Sequence, residues 1–143
     1  MIDNDILKNL AQTTYDSVEG YRVAAQRARN PELKQALGRR TIDRAKAYQK
    51  LNRVLKRRGV EEITTPSTRG AASRLLTIAD TLSDGDEAAL NRVAQGEEFI
   101  AREYRKALRR EDIQPATRQL IESAYRSVRD GEQFDRLLEP EYA

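Results

Sequence analysis

Apolar residues recur every three or four positions along four long segments of this chain, and this helical period constrains the fold more than any other feature. Two prolines mark breaks in the pattern, at Asn30-Pro31 and Gln114-Pro115. The residue before a proline is disfavoured in the helical region, whereas proline suits the first position of a new helix. Links this short make consecutive helices antiparallel. The sequence therefore predicts two helical hairpins.

The predicted helices cover residues 4–29, 31–58, 86–110 and 115–138, with a shorter helix at 71–82. Asp3 or Asn4 is placed to cap the first helix, and Gly59 to end the second in a left-handed conformation. The turn-rich sequence from Val60 onward is interpreted as the start of a long crossover to the far end of the bundle. We predict one all-α domain over 1–143, an antiparallel four-helix bundle.

Composition excludes several kinds of chemistry. The chain has 143 residues with no Cys and no His, so disulfides, thiol nucleophiles and serine-histidine catalysis are impossible. A metal ion would depend on carboxylates, carbonyls and water. The acidic start MIDNDILKNL lacks the pattern of a secretory signal, and no window has the apolar length of a membrane span. We expect a cytoplasmic protein that does not associate with membranes.

Short motifs at four places resemble those of a known family. They are Tyr-Arg-x-Ala at 21–24, Asn-Pro-Glu-Leu at 30–33, Gly-Glu at 96–97 and Tyr-Arg-Lys-Ala-Leu at 104–108. Together with two hairpins and a crossover, they resemble small bacterial four-helix bundles of the ferritin-like superfamily, grouped as domain of unknown function 2383. This resemblance implies a ferritin-like fold and no established activity. The Tyr-Arg motif, followed by a proline, also occurs once in each predicted hairpin, which indicates a weak internal repeat.

Metal-binding members of the ferritin-like fold take four carboxylates and two imidazoles from facing helices. Against that pattern the resemblance places Ser17-Val18 where a Gly-Glu is usual, and Arg39 at the acidic position of the second helix. Glu97 and Glu122 remain as the residual candidate ligands, and no His follows either. We therefore expect no catalytic residues, no metal and no cofactor.

Glu97 lies on the apolar stripe of its helix, where an unpaired carboxylate would be costly to bury. Its partner could be a Tyr, Thr or Ser hydroxyl or Arg44, or it could be a surviving metal ligand or proton-transfer group. Tyrosines on the predicted inward faces complete a core polar layer, which comprises Tyr21, Tyr48, Glu97, Tyr104 and Tyr125. The stripe of the second helix comprises Leu33, Leu37, Thr41, Ala45, Tyr48, Leu51 and Leu55.

The second helix is strongly basic, with ten Lys or Arg against two acidic residues over 31–58. A candidate polyanion surface comprises Arg39, Arg40, Arg44, Lys46, Lys50, Arg53, Lys56, Arg57 and Arg58. The alternative is that these side chains pair with acidic faces of the bundle or of a second copy.

Three functions stay open at this point. The first is a non-enzymatic, self-associating interaction or stress-associated protein. The second is a divalent-metal or redox protein with a reduced carboxylate site, and the third is weak binding of nucleic acid through the second helix. Apolar residues at 75–82 favour a homo-oligomer, most simply a dimer.

Overall fold

The computed structural model describes residues 2–67 and 86–142 and, among these, all side chains except those of residues 88 and 131–142. Four helices occur in these ranges: α1 Ile2–Arg27, α2 Pro31–Arg57, α3 Asp86–Leu108 and α4 Pro115–Tyr142. No strand occurs within those two ranges. The predicted all-α four-helix bundle is confirmed, whereas the short helix predicted at 71–82 lies outside the described residues.

The breaks between helices follow from local chemistry. Asn30 caps α2, since its side-chain oxygen accepts hydrogen bonds from the backbone amides of Glu32 at 2.9 Å and Leu33 at 3.2 Å. At the other end of α2, Gly59 adopts φ +78°, and the amide of Val60 donates to the carbonyl of Leu55 at 2.9 Å. A residue with a β-carbon would be strained there, so glycine stops the helix as predicted.

The helices form a square in which α1 and α4 each pack against both α2 and α3. Helices α2 and α3 begin at one end of the bundle, where Asp86 contacts the backbone of Asn30, and α1 and α4 begin at the other. Neighbouring helices are therefore antiparallel, while the diagonal pair α2 and α3 runs parallel. Parallel order requires the connection after α2 to cover the length of the bundle.

The first part of that connection runs along the outside of α1 and α2. The carbonyl of Thr64 accepts a hydrogen bond from the Tyr15 hydroxyl at 2.7 Å, and that of Thr65 accepts one from Gln12 at 3.0 Å. Farther along, the amide of Ser67 donates to Asp16 at 2.9 Å. These contacts satisfy the backbone of an irregular segment and fix its direction toward the far end.

Each hairpin loop is held by an aspartate from the other hairpin. Asp86, in the first turn of α3, accepts from the amides of Arg29 at 2.6 Å and Asn30 at 2.9 Å. Asp3, in the first turn of α1, accepts from the amide of Gln114 at 3.1 Å and from the Thr117 hydroxyl at 2.8 Å. The prediction that Asp3 or Asn4 caps α1 is therefore wrong, because α1 begins at Ile2 and Asp3 binds the start of α4.

Buried apolar side chains form two clusters along the bundle. One includes Leu7, Leu51 and Ile121, and the other, nearer the first hairpin loop, includes Leu33, Leu37 and Val93. The residues between the two clusters are polar, and they comprise Thr14, Ser17, Arg44 and Glu97. The fold thus places a polar layer at mid-height, with apolar packing above and below it.

Candidate functional site

Helical register turns two charged residues of the polar layer inward. On α2, Arg44 lies seven residues after Leu37 and seven before Leu51, both of which are fully buried. On α3, Glu97 lies between Val93 and Ile100 on the inward stripe. Seven residues are close to two helical turns, so these side chains share the face of their apolar neighbours. Packing of that face forces both charges into the centre.

Arg44 and Glu97 form a buried ion pair. Nη2 of Arg44 donates to Oε2 of Glu97 at 2.7 Å, and Nη1 of Arg44 donates to the Ser17 hydroxyl. Arg44 is 0% exposed and Glu97 is 2% exposed. Because α2 and α3 are diagonal neighbours, this pair crosses the bundle axis and joins the first hairpin to the second.

The Tyr21 ring supports the guanidinium from α1. The Arg44 Cζ atom lies 5.4 Å from the centroid of the ring, and that of Arg40 lies 5.9 Å from it. A cation near an aromatic face is stabilised by the ring quadrupole, more strongly where water is excluded. Arg40 also donates to the carbonyl of Ser127 at 3.0 Å and lies 3.6 Å from the carboxylate of Asp43.

Electrostatics favour the charged form of Arg44 despite its burial. Desolvation is the largest effect and would lower the pKa of the guanidinium, but attraction to Glu97 and the hydrogen bond between them outweigh it and raise the pKa. Arg44 therefore stays charged, because a guanidinium in a protein keeps its proton at any ordinary pH.

A second hydrogen-bonded pair adjoins the ion pair. The Tyr104 and Thr14 hydroxyls lie 2.7 Å apart, and Thr14 donates to the carbonyl of Leu10 at 2.6 Å. Thr14 has a single proton to give, so Tyr104 is the donor between the two. Burial, the largest effect, raises the pKa of Tyr104 to about 12. The Tyr125 ring stacks on Tyr104 with centroids 6.1 Å apart.

The other members of the predicted polar layer lie away from the centre. Tyr48 and Tyr125 are only partly buried, and the Tyr48 hydroxyl donates to the carbonyl of Ile63 in the connection after α2. Burial raises the pKa of Tyr48, and nearby Glu62 adds to that increase.

The buried face of α2 is rotated relative to the predicted apolar stripe. Thr41 and Ala45 lie at the edge of the buried face, while Arg40 and Arg44 point inward. Counting apolar residues could not reveal this, because arginine counts as a surface residue.

The described carboxylates do not assemble a metal centre. Of the two residual candidates, Glu122 is exposed on α4 and Glu97 is already paired with Arg44. Arg39 is exposed as well and does not replace an inward acid; Arg44 is the residue that carries positive charge into the centre. Across residues 2–67 and 86–130, no three Asp, Glu, His or Cys side chains cluster to hold an ion. The residues present do not fit a di-metal site.

The predicted polyanion surface is divided by the fold. Arg40 and Arg44 are buried and unavailable, which corrects their assignment to that surface. Arg58 is half-buried and donates to Asn4 at 3.0 Å. The remaining cations are exposed, and they are Arg39, Lys46, Lys50, Arg53, Lys56 and Arg57.

Residues 4–110 match the family model described as domain of unknown function (DUF2383). The chain belongs to this family. The match covers α1, α2 and α3, and therefore both partners of the central ion pair. A comparison with curated proteins gives no match. Within the described ranges, no helix of this DUF2383 protein has the length and apolar character needed to cross a bilayer.

Proposed function

We propose that this DUF2383 protein is a non-enzymatic, ferritin-like bundle that acts by binding through its outer surface. The observation that carries the proposal is the Arg44 guanidinium at the centre, where it holds the buried carboxylate of Glu97. In a metal-binding bundle of this architecture, inward carboxylates from facing helices would surround the ions. Here the inward carboxylate is already bound to a fixed organic cation.

The chemistry of the pair supports a structural role. A guanidinium stays protonated near neutral pH, so it cannot serve as a general acid or base there. Glu97 accepts from Arg44 at 2.7 Å and has almost no contact with solvent. A divalent ion next to Arg44 would meet electrostatic repulsion. The pair thus closes the centre and leaves the outer faces of the helices to interact with partners.

Metal analysis tests this proposal directly. Protein purified without chelator, then incubated with Fe(II) or Mn(II) and desalted, is expected to retain less than one metal ion per chain by mass spectrometry. The Glu97→Gln variant should retain the same amount as the unaltered protein. Glu122→Gln is the matched control, because it removes an exposed carboxylate of the same type.

Stoichiometric metal that is lost in Glu97→Gln but kept in Glu122→Gln would overturn the proposal and favour a metal or redox protein. The proposal also includes self-association in the cytoplasm. The apolar residues that suggested a dimer, at 75–82, lie outside the described residues, so self-association stays a prediction.

A further inference from the structure

Five exposed cations follow one line along the outside of α2. We call this line the basic stripe, and it comprises Arg39, Lys46, Lys50, Arg53 and Arg57. Successive members are separated by seven, four, three and four residues, which is the spacing of one helix face. At the helical rise per residue the stripe is about 27 Å long. The face is opposite Arg44 and Leu51, so it points away from the core.

The basic stripe is not neutralised within the described part of the chain. No member forms an ion pair with a described residue, and Lys50 only donates to the Ser123 hydroxyl at 3.2 Å. Asp43 is the single acidic residue between Leu33 and Val60, and its carboxylate lies beside Arg40, 3.6 Å away. The acidic side chains that the structure describes therefore do not account for these charges.

The basic stripe and the side chains beside it are suited to bind a phosphate backbone. The stripe contains no aromatic side chain on which unpaired bases could stack, which disfavours single strands. Ile42 is the one large apolar side chain of α2 that is well exposed, at 59%, so the face has little to insert into a lipid bilayer. A straight row of cations about 27 Å long can cross a groove of a rigid duplex and contact phosphates of both strands.

We propose that the basic stripe binds the phosphate backbone of duplex nucleic acid without reading its sequence. This inference rests on the proposed function, since it names the partner of an outer face. Release of counterions from the phosphates would drive the binding, so affinity should fall steeply with salt. Five phosphate contacts would give a slope of roughly −4 to −5 in a plot of log K against log salt.

Fluorescence anisotropy of a labelled DNA duplex of about two turns, over about 50 to 200 mM salt, measures both affinity and slope. The variant Lys46→Gln/Lys50→Gln/Arg53→Gln should bind at least about tenfold more weakly at the lower salt, with a slope reduced by roughly three. The matched control is Lys8→Gln/Lys106→Gln/Arg109→Gln, which removes three exposed cations, one in α1, one in the last turn of α3 and one just after α3. Net charge changes equally in both triple variants. The control cations lie outside the basic stripe, so the control variant should keep the salt slope of the unaltered protein.

Equal loss in both triple variants would show that only net charge matters and would overturn the inference. Binding that is tighter to a single strand of the same length than to the duplex would overturn the inference as well. Tighter binding to phosphatidylserine vesicles than to the duplex would also overturn it. Metal analysis of the same preparations separates the two proposals. A protein that is metal-free and does not bind the duplex contradicts only the inference about the basic stripe. Metal bound at Glu97 contradicts the proposed function.

Discussion

The two hairpins carry equivalent residues at many inward positions and differ at the centre. Three pairs are each 83 positions apart, and they are Asp3 with Asp86, Leu7 with Leu90, and Tyr21 with Tyr104. The helix-starting prolines, Pro31 and Pro115, are 84 apart. The exchange of loop contacts by Asp3 and Asp86 has the same two-fold character. The weak repeat seen in the sequence is therefore also present in the contacts.

The repeat breaks at the ion pair. With the spacing of 83 for the first helix of each hairpin, Glu97 corresponds to Thr14, and with the spacing of 84 for the second helix, Arg44 corresponds to Val128, so neither charge has a charged counterpart in the other hairpin. Both charges fall on one diagonal, between α2 and α3, and neutral residues occupy the other. A buried charge without its partner is costly, whereas the pair is tolerated. The pair therefore favours one arrangement of the two hairpins, because only this diagonal brings the two charges together.

The largest loss of stability is expected when one charge of the Arg44–Glu97 pair is removed and the other is kept. Arg44→Met leaves the Glu97 carboxylate buried without its cation, and Glu97→Leu leaves Arg44 equally uncompensated. Each should lower the free energy of unfolding by about 3–5 kcal/mol, measured by urea denaturation followed by circular dichroism. A Glu97 that was simply hydrogen-bonded to a hydroxyl would cost only about 1–2 kcal/mol on removal.

The double variant Arg44→Met/Glu97→Leu removes both buried charges from the centre. It should be more stable than either single variant, because no buried charge is left without a partner. If the two losses instead add, the charges act independently and do not lock the hairpins together.

The next largest loss of stability is expected for Asp3 and Asp86, the two aspartates that hold the hairpin loops. Asp3→Ala removes a carboxylate that is 2% exposed and leaves the Gln114 amide and Thr117 hydroxyl without an acceptor, which should cost about 1–3 kcal/mol. Asp86→Ala should cost less, since Asp86 is only half-buried and water can replace it. Urea denaturation measures both, with the exposed Asp5→Ala as the control. Equal losses for Asp3 and Asp86 would contradict an effect of burial.

Sequence reasoning predicted the helices and their breaks because those depend on local signals. Apolar spacing, Pro31 and Gly59 each act within a few residues, so their effect does not depend on the rest of the fold. The same spacing placed Glu97 on the inward face. Local rules were enough for a bundle of this kind.

The partners across the bundle could not be predicted in the same way. Arg44 was one of several possible partners for Glu97, and the choice depends on which diagonal the two hairpins bring together. Asp3 was expected to cap its own helix, but in the folded chain its carboxylate accepts a hydrogen bond from the amide of Gln114. Arg40 was expected on the surface because arginine counts as a surface residue, and its charge alone does not tell which way the side chain points. A signal existed in its position seven residues after buried Leu33 and seven before buried Ala47.

The smallest expected effect concerns Tyr104, whose repeat counterpart Tyr21 packs near the Arg44 guanidinium while Tyr104 itself bonds to Thr14. Tyr104→Phe and Thr14→Val each remove this hydrogen bond, and each should cost about 1 kcal/mol at neutral pH. Only Tyr104→Phe also removes the phenol, which makes the two variants a matched pair.

Their responses to pH should differ. Burial raises the pKa of Tyr104 to about 12, above the ordinary tyrosine value near 10. Between these values the unfolded chain releases the phenolic proton and the folded chain keeps it, so stability contributed by Tyr104 is present below about pH 10 and is lost as pH rises toward 12. Thr14→Val should preserve that alkaline loss, because the phenol stays buried and burial is the largest cause of the raised pKa of Tyr104. Tyr104→Phe should make the loss shallower. Urea denaturation at intervals across this range measures both slopes; an identical alkaline slope in Tyr104→Phe and the unaltered protein would mean that the loss arises elsewhere in the bundle.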